Sequence, residues 1–406
     1  MPEVSSMPLR LADPDTFADG VPHALIAELR RTEPVSWQPM DGEPGFFAAL
    51  SHEAVQTVAQ QPLLYSSSLG GITLEDGTDE TLTMFRDTVL GMDPPRHATY
   101  RTTLSPSFKR NAVARLDEQV RAICRDIMSE ARELGPDVEL VHDVSAKLPG
   151  RVIGQLMGIP PADWPFVNTL AERLLGSQDT EVARPDGPSA TVEMITYAMS
   201  FAASRRATVT DDEPDDLTTL LLHSELEGHP MTDLEFASLF FQLVGAAADT
   251  TKMLTSSGVV ALVEHASQLD ALRADPELIP DAVEEMLRWA NPVHYMRRTT
   301  TADTTLLGVE IAAGQKVAMY LTAANRDPLV FADPDRFDVR RQPHRHLAFG
   351  FGEHFCLGAH LARLEARIFF EELLQSFSSI TLAGDPVRLR SNFVNGFRRV
   401  PVRLVV

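Results

Sequence analysis

The sequence predicts a mainly α-helical protein with a small proportion of β-strand. Amphipathic runs of helical period recur between residues 111 and 207. The stretch 231–266 is apolar on nearly all sides through its first half, which predicts a long buried helix. Patterns typical of strands are short and lie in residues 34–50 and after residue 300. No Ser/Gly-rich linker or internal repeat divides the chain, so we expect one domain over residues 1–406.

The elements follow from local patterns of apolar residues, prolines and glycines. Helices are expected at residues 22–33, 51–62, 92–108, 111–134, 143–157, 160–176, 191–207, 231–266, 280–289 and 361–377. Strands are expected as a hairpin of 34–38 with 45–50, a strand at 346–349, a hairpin around AAGQ (312–315) and a last hairpin within 391–406. The polar stretch 177–190 is expected to be mobile, and the acidic stretch 210–217 is expected to be a turn.

Composition and charge exclude several classes of protein. The formal net charge of −21 argues against general binding to nucleic acids or anionic membranes. Two cysteines, Cys124 and Cys356, provide no disulfide framework, as expected in a reducing cytoplasm. The N-terminus lacks the apolar core of a signal peptide, and the most apolar stretch, 236–248, is shorter than the ~20 residues of a membrane span. We therefore expect a soluble, cytoplasmic and monomeric protein.

The stretch Phe349–Gly358, FGFGEHFCLG, organises the chain. Gly350 and Gly352 allow a sharp bend and a close approach to a flat partner. Cys356 precedes the helix predicted at 361–377, and a helix N-terminus favours the thiolate form that binds metals. A lone thiolate in an apolar, glycine-lined loop suits one axial bond to a haem iron.

Two alternatives to a haem ligand stay open for this cysteine. A free cysteine is often a buried structural residue in a turn. A zinc site is the second alternative, although zinc usually takes four ligands in short paired spacings. The histidines near the cysteine are His344, His346, His354 and His360.

Two further pairs of polar residues have the spacing of one helical face. His97 and Arg101 follow two prolines, and they form either a solvated charged face or a two-donor clamp for an anion such as a propionate. Glu285 and Arg288 lie three residues apart and on their own suggest a simple surface ion pair.

The middle of the long helix carries an aspartate, Asp249, beside Thr250 and Thr251. Thr232 and Glu235 form a capping box at the start of this helix. A buried aspartate is costly unless it is paired or functional. The stretch is therefore either a break between two shorter helices or a proton route into an apolar pocket, where small alanines leave room above a flat cofactor.

Four motifs resemble those of bacterial cytochrome P450 enzymes, the haem-thiolate monooxygenases. The cysteine loop has the family's Phe-Gly-x-Gly-x-His-x-Cys-x-Gly pattern over residues 349–358. Residues 93–101 match Asp-Pro-Pro-x-His-x-x-x-Arg, residues 246–250 match a small-small-x-acid-Thr pattern, and residues 285–288 match Glu-x-x-Arg. The resemblance extends over roughly residues 20–400 in the expected order.

This resemblance implies a cytochrome P450 fold, in which one helix-rich domain with a small β subdomain holds haem b between the long helix and the helix after the cysteine loop. It implies that Cys356 binds the iron and that Asp249 and Thr250 relay protons to dioxygen. The residues it places at the haem or its propionates are His97, Arg101, Ala246, Arg298, His346, Phe349, Gly350, His354 and Gly358. Arg336, in the segment PDRF, is expected to join Glu285 and Arg288 in an Arg–Glu–Arg network that anchors the loop.

The pocket wall implied by the resemblance is apolar and suits a hydrophobic substrate. Its residues are Met84, Phe85, Leu90, Leu243, Ala246, Ala247, Val293, Met296 and Val394. Ala247 stands where the family often has glycine, and residues 160–207 resemble the family's lid over the substrate entrance. The stretch FADGVPH, 17–23, is similar to members that hydroxylate steroids, terpenoids and branched fatty acids, while polyketides and aromatic compounds stay open.

Electrons are expected from outside the chain, because the sequence contains no flavin or iron–sulfur motif. The resemblance implies a ferredoxin and a ferredoxin reductase fed by NAD(P)H, with O2 as co-substrate. The basic face expected to dock the ferredoxin consists of Arg96, Arg101, Arg110, Arg363 and Arg367. A peroxide-driven haem enzyme and a non-catalytic haem sensor or carrier are the rival classes. The acid–threonine pair argues against the first rival, and the absence of an output domain argues against the second.

Overall fold

The computed structural model describes residues 10–183, 189–208 and 216–406, apart from the side chains of Glu80 and Thr208. The stretch 177–190, expected to be mobile, lies partly outside this range, and its described part contains a short helix, Thr180–Ala183. Most of the acidic turn expected at 210–217 also lies outside the described residues.

Helices predominate in the described chain. They are α1 (His23–Thr32), α2 (His52–Ala59), α3 (Asp79–Arg86), α4 (Arg96–Phe108), α5 (Arg110–Ala114), α6 (Asp117–Leu134), α7 (Lys147–Leu156), α8 (Trp164–Leu175), α9 (Thr180–Ala183), α10 (Ala190–Thr208), α11 (Leu217–Leu222), α12 (Asp233–Glu264), α13 (Ala266–Ala274), α14 (Ile279–Ala290), α15 (Leu321–Ala324) and α16 (Ala359–Ser376).

The strands are short and form small sheets. They are β1 (Val35–Gln38), β2 (Phe46–Ala49), β3 (Tyr65–Ser66), β4 (Asp137–Glu139), β5 (Glu225–Leu226), β6 (His229–Pro230), β7 (Tyr295–Thr300), β8 (Thr304–Leu306), β9 (Val309–Ile311), β10 (Lys316–Tyr320), β11 (Ser379–Leu382), β12 (Val387–Arg388), β13 (Phe397–Arg399) and β14 (Pro401–Val405). The largest described sheet has the order β1-β2-β10-β7-β3, and a second has the order β11-β14-β4. The expectation of a mainly helical fold with a small β part is confirmed.

The ten helices expected from the sequence are all present, with ends shifted by a few residues. The stretch 111–134 divides into α5 and α6, with a break between Ala114 and Asp117. α12 begins with the predicted capping box and runs unbroken past Asp249, so the alternative of two shorter helices is wrong. The Thr250 hydroxyl donates to the Ala246 carbonyl at 2.8 Å without interrupting the helix.

The strand expectations are confirmed only in part. β1 and β2 form the expected antiparallel hairpin. The hairpin expected around residues 312–315 is wrong, because β8 and β9 turn at Leu307 and Gly308, which both have positive φ. β10 instead pairs with β2 on one side and β7 on the other. All five residues of β10 are buried, as is usual for a strand with neighbours on both sides.

Two other expected strand arrangements are wrong. Residues 346–349 form no strand: Leu347 N donates to the Asn325 side chain at 2.6 Å, and Gly350 N closes a turn on the Leu347 carbonyl at 2.8 Å. A side-chain amide and a turn thus satisfy backbone groups that a ladder would use. At the C-terminus, β13 pairs with β12 and β14 pairs with β11 and β4, so the last two strands do not form a hairpin with each other.

The long helix α12 is at the centre of the main hydrophobic core. It packs against α7, α8, α10, α14 and α16. At Gly258, a Cβ atom would lie 2.6 Å from the ring of Phe370 on α16, so this ring occupies the space that a side chain on α12 would need. This contact holds α16, and the cysteine loop that precedes it, against α12. No helix of the described residues is long and apolar enough to cross a bilayer.

A buried ion pair on α14 supports the segment that leads to the cysteine loop. Arg288 donates to both carboxylate oxygens of Glu285, at 2.7 and 2.8 Å, and both side chains are almost fully buried. The expectation that Arg336 is the third member of this network is wrong, because its side chain is 65% exposed and lies 3.6 Å from Asp338. Arg341 takes that place, with Nε 3.0 Å from Glu285. The pair is therefore a structural network within the fold and not a surface ion pair.

Candidate active site

Backbone geometry at two glycines shapes the cysteine loop. Gly350 and Gly352 have φ values of 71° and 70°, which favour glycine. A Cβ at Gly352 would lie 2.4 Å from the carbonyl oxygen of Ala59 at the end of α2, so the close contact with α2 also requires glycine. A Cβ at Gly350 would meet only the His354 carbonyl, at 3.8 Å, and one at Gly358 would meet nothing within 4 Å. The loop is therefore packed on one side and open on the other.

The cysteine is held in place from three directions. Cys356 N donates to the Phe349 carbonyl at 2.8 Å. Arg101 on α4 donates from Nη2 to the Phe355 carbonyl at 2.6 Å. The guanidinium of Arg363, one turn into α16, lies over the Phe349 ring at 4.4 Å from its centroid. Helices on both sides of the loop thus fix the position of the sulfur.

The thiol of Cys356 is open to a cavity that is itself deep in the protein. Burial raises the pKa of this thiol, while the Gly358 backbone N–H and the charges of Arg101 and Arg363 lower it only in part. Desolvation is therefore the largest influence on this thiol, and it opposes the thiolate form expected at the start of α16. A cation bound at the sulfur would reverse this balance.

Two cavities lie between α12 and the loops that face it. The first is lined by Cys356 and by Phe349, Gly350, Phe351, Leu243, Ala246, Ala247, Thr250, Arg101, Arg298, His354 and Gly358. The second has a volume of about 610 Å³ and is lined by Met84, Phe85, Leu90, Ala246, Val293, Met296, Phe393 and Val394. Both cavities touch Leu90, Gln242, Ala246, Thr250, Val293 and Met296, so they adjoin. All of the expected pocket-wall residues line at least one of them.

Arg101, Arg298 and His354 line the first cavity, and His97 lies beside His354. The rings of His97 and His354 lie with centroids 4.3 Å apart. Burial, together with the charges of Arg298, His97 and Arg101, lowers the pKa of His354 to about 2. Burial also lowers the pKa of Arg298 to about 10, with Asp93 acting in the opposite direction. The four groups therefore act on one another electrostatically in a poorly solvated place.

One atom of this group has no partner. Nε2 of His97 is buried and makes no hydrogen bond to any described residue. His346, the further candidate from the sequence, does not join the group: its Nε2 lies 3.1 Å from the Glu284 carboxylate, which also binds Arg363. That expectation for His346 is wrong, because Glu284 on α14 binds the imidazole on the other side of the loop.

The acid on α12 is paired within the same helix. The side chain of Asp249 is buried and forms a close ion pair with Lys252, which also lies 3.1 Å from Glu172 on α8. Burial raises the pKa of Asp249, and Lys252 counteracts this only in part. Burial alone would lower the pKa of Lys252, but the charges of Asp249 and Glu172 have the larger effect, so the pKa of Lys252 is raised. Lys252 thus connects the acid on α12 to α8, a contact that sequence reasoning did not find.

A second buried carboxyl lines the same cavity as the cysteine. Glu365 on α16 lines the first cavity, and it is 3% exposed. Burial raises its pKa to about 8. Its Oε2 makes no hydrogen bond to any residue that the structure describes. An uncharged carboxyl can both donate and accept hydrogen bonds at the cavity wall.

Most of the expected basic face is already neutralised. Arg96 binds Asp87 and Glu227, Arg363 binds Glu284, and Arg367 binds Asp117 and Glu371. Arg101 is turned toward the cysteine loop, as described above. An acidic chain thus provides three of the five arginines expected at the docking surface with carboxylate partners. Arg110 remains exposed.

The site fits a haem better than a zinc ion. Among the described residues, no group of three or more His, Cys, Asp or Glu side chains is placed to hold a metal ion. One thiol on a loop whose free side carries no Cβ can approach a flat group. The buried Nε2 of His97 has no described partner, and Arg101 and Arg298 are close enough for their charges to lower the pKa of this imidazole, which suits carboxylates at the rim of such a group.

Comparisons with known proteins agree with this geometry. A family model described as Cytochrome P450 matches residues 184–404. The chain is 37% identical to the methyl-branched lipid omega-hydroxylase of Mycobacterium tuberculosis over 99% of this chain and 96% of that protein. It is 35% identical to linalool 8-monooxygenase of Pseudomonas putida, over 97% and 98% of the two chains, and 36% identical to steroid C26-monooxygenase of Mycolicibacterium smegmatis, over 95% and 93%. A solved cytochrome P450 from Mycobacterium marinum, in complex with pseudoionone, superposes with a TM-score of 0.91 at 34% identity, covering 98% of this chain and 100% of that one.

The buried carboxyl predicts a pH-dependent stability. The pKa of Glu365 is raised from 4.5 to about 8. The stability that the protonated Glu365 side chain contributes is therefore fully present below pH 4.5 and is lost as the pH rises through 8. A Glu365→Gln variant should therefore gain thermal stability over the wild type progressively between about pH 5 and pH 8, as measured by melting temperature. The exposed Glu118→Gln is the control and should follow the wild type. Parallel melting profiles for Glu365→Gln and wild type would contradict the assignment.

Proposed function

The chain belongs to the cytochrome P450 family of haem-thiolate monooxygenases, and we propose that it inserts one oxygen atom of O2 into an apolar molecule of the lipid, terpenoid or steroid type. One observation carries the proposal. The thiol of Cys356 and the hydroxyl of Thr250 line one cavity, which adjoins a largely apolar cavity of about 610 Å³. A cavity of that size accommodates a small organic molecule with most of its surface buried.

Haem b would be held from two sides. Cys356 would provide the iron ligand, while Phe349, Gly350 and Gly358 on the loop and Ala246 on α12 line the faces of its site. The propionates would be bound by His97, Arg101, Arg298 and His354. Three supports for this clamp are the unpaired Nε2 of His97, the mutual closeness of the four groups, and a lowered pKa at His354 and Arg298 that an anion would offset.

Once bound, the haem supplies the activation of O2 and the insertion of oxygen into a C–H bond. The chain's own part is to deliver protons and to exclude water. The Thr250 hydroxyl lines both cavities and now donates to the Ala246 carbonyl, so a rotation about its Cα–Cβ bond would turn its proton into the cavity. The raised pKa of Asp249 suits a carboxyl that carries a proton to this hydroxyl.

The substrate class is proposed from the cavity wall and from the relatives. The wall of the second cavity includes Met84, Phe85, Leu90, Val293 and Met296, which together give an apolar surface for an aliphatic or alicyclic skeleton. The relatives reported above are named for a methyl-branched lipid, a terpenoid alcohol and a steroid. These three share a hydrocarbon skeleton of moderate size, and the proposal extends that shared chemistry to this chain.

A change at Thr250 tests the proposed reaction. Thr250→Ala should still bind haem but yield at least about tenfold less product per NAD(P)H oxidised, because the proton donor on the cavity side is lost. Thr250→Ser keeps a hydroxyl and is the matched control. The amounts of product formed and of NAD(P)H oxidised are measured in the same reaction. The substrate is the one that gives the largest spin-state shift among linalool, a methyl-branched fatty acid and a steroid.

The same assay distinguishes the proposed reaction with O2 from the peroxide-driven alternative. With peroxide as the only oxidant, Thr250→Ala should resemble the wild type, because that reaction needs no proton delivery to dioxygen. Unchanged coupling in Thr250→Ala with NAD(P)H would refute the relay. Faster turnover of the wild type with peroxide than with NAD(P)H and redox partners would favour the peroxygenase.

For the electron source, we propose a ferredoxin supplied by an NAD(P)H-dependent ferredoxin reductase. Three of the expected arginines are already paired with carboxylates, so the proposed contact is the exposed segment at the end of α4 and along α5, which carries Lys109, Arg110 and Arg115. α5 packs against α16, the helix that begins just after the cysteine. A positive segment there would attract an acidic partner to the thiolate side of the haem.

Charge reversal tests this contact. Lys109→Glu with Arg110→Glu should raise the ferredoxin concentration needed for half-maximal turnover several-fold, and wild-type reduction should slow as ionic strength rises. The control is Arg31→Glu on α1, a helix that packs against β1 and α15. Reduction that is insensitive to both salt and the double variant would rule out this docking segment.

A further inference from the structure

A polar side chain, Gln242, interrupts the apolar wall shared by the two cavities. It lies on the same face of α12 as Ala246 and Thr250, at successive intervals of four residues, and all three line both cavities. Eight residues of α-helix separate Gln242 from Thr250, which corresponds to about 12 Å along the axis. Gln242 is therefore remote from the proposed site of oxidation but within the same substrate space.

The orientation of its amide is set by a backbone contact. Leu90 N donates to Oε1 of Gln242 at 3.4 Å. Because a backbone N–H can only donate, the amide atom that faces Leu90 is the oxygen, and the NH2 group points elsewhere. In the described part of the chain, Nε2 of Gln242 makes no hydrogen bond to any residue.

Three hydroxyls on the cavity wall already have acceptors. Thr88 donates to the Phe85 carbonyl at 2.6 Å, and Ser238 donates to the Leu234 carbonyl at 3.1 Å. Thr250 donates to the Ala246 carbonyl, as described above. The Gln242 amide differs from these groups because its donor is uncommitted, and an apolar ligand that covered it would leave the donor unsatisfied.

We propose, on the basis of the function proposed above, that Gln242 is a specificity-determining residue that donates a hydrogen bond to a neutral oxygen of the substrate. The oxygen belongs to a carbonyl or hydroxyl group at the end of the molecule remote from the carbon that is oxidised. A carboxylate is disfavoured, because Glu75 lines the same cavity and, among the residues that the structure describes, no basic side chain does. The substrate is thus a hydrocarbon skeleton with one neutral polar group, and not a plain hydrocarbon or a fatty acid anion.

Three ligands of matched size test this inference. Methyl undecyl ketone has a terminal-region carbonyl, its alkene analogue has a methylene group in place of the ketone oxygen, and laurate has a carboxylate on the same chain. Their affinities are measured on the haem-loaded protein by the spin-state change in the haem spectrum. The wild type should bind the ketone about tenfold more tightly than the alkene, and more tightly than laurate.

A near-isosteric variant provides the decisive comparison. Gln242→Met keeps the volume of the side chain but removes the amide, so the ratio of ketone to alkene affinity should fall to about one while the alkene binds as well as before. Gln61→Met, at an exposed position, is the matched control and should retain the wild-type ratio. The carbon monoxide spectrum of each reduced variant confirms that the haem site is intact.

Several outcomes would overturn the inference. These are an unchanged ketone preference in Gln242→Met, no ketone preference in the wild type, and no spin-state response of the wild type to any of the three ligands. Laurate binding as tightly as the ketone would overturn the restriction to a neutral oxygen. Each of these results leaves the proposed function standing, whereas a wild type without a thiolate-type carbon monoxide spectrum would refute the function itself.

Discussion

The position of one sulfur atom is the constraint on which the rest of the structure depends. The thiol of Cys356 opens on a cavity, and the loop around it is fixed by a backbone bond to Phe349 and by the Arg101 guanidinium on the Phe355 carbonyl. Behind the loop, Arg363 lies over the Phe349 ring, and α16 is pressed against α12 at Gly258. These contacts fix the position of the sulfur that would provide the iron ligand of a haem.

The buried charges divide the site into two parts with different tasks. At the rim, burial lowers the pKa of His354 and Arg298, and Nε2 of His97 has no described partner. An anion bound there would offset the desolvation of these charged groups and would provide the unpaired nitrogen with a hydrogen-bond partner. On α12, Asp249 is held by Lys252, which also reaches Glu172 on α8. The proposed proton path is therefore electrostatically coupled to a helix in the region that resembles a substrate lid.

Local patterns in the sequence were sufficient to predict ten helices, the capping box at Thr232 and the candidate iron ligand, but not the helices α3, α9, α11, α13 and α15. Those predictions depend on residues close together in the chain, where spacing determines geometry. The hairpin around 312–315 failed because β10 takes partners on both sides, β2 and β7, which are remote from each other in sequence. Parallel pairing with β2 is a property of the whole sheet and leaves no signal within the strand itself.

Long-range side-chain partners were the least predictable part of the site. Arg341 and Arg336 are close in sequence, and only the folded chain shows that Arg341 reaches Glu285. Glu365 could have been found, because it stands between Leu361 and Phe369 at helical spacing on the buried face of α16. Lys252 also carried a signal, as a single cation in an apolar helix, but its partner Glu172 could not be foreseen.

The carbon monoxide difference spectrum of the reduced protein tests the central claim most directly. The account predicts a thiolate-type spectrum for the wild type and for Cys124→Ser, whose cysteine is buried in α6 away from the cavity lining. It predicts that Cys356→Ser loses this spectrum. A Cys356→Ser protein with an unaltered thiolate-type spectrum, or a wild type that takes up no haem when it is supplied, would contradict it.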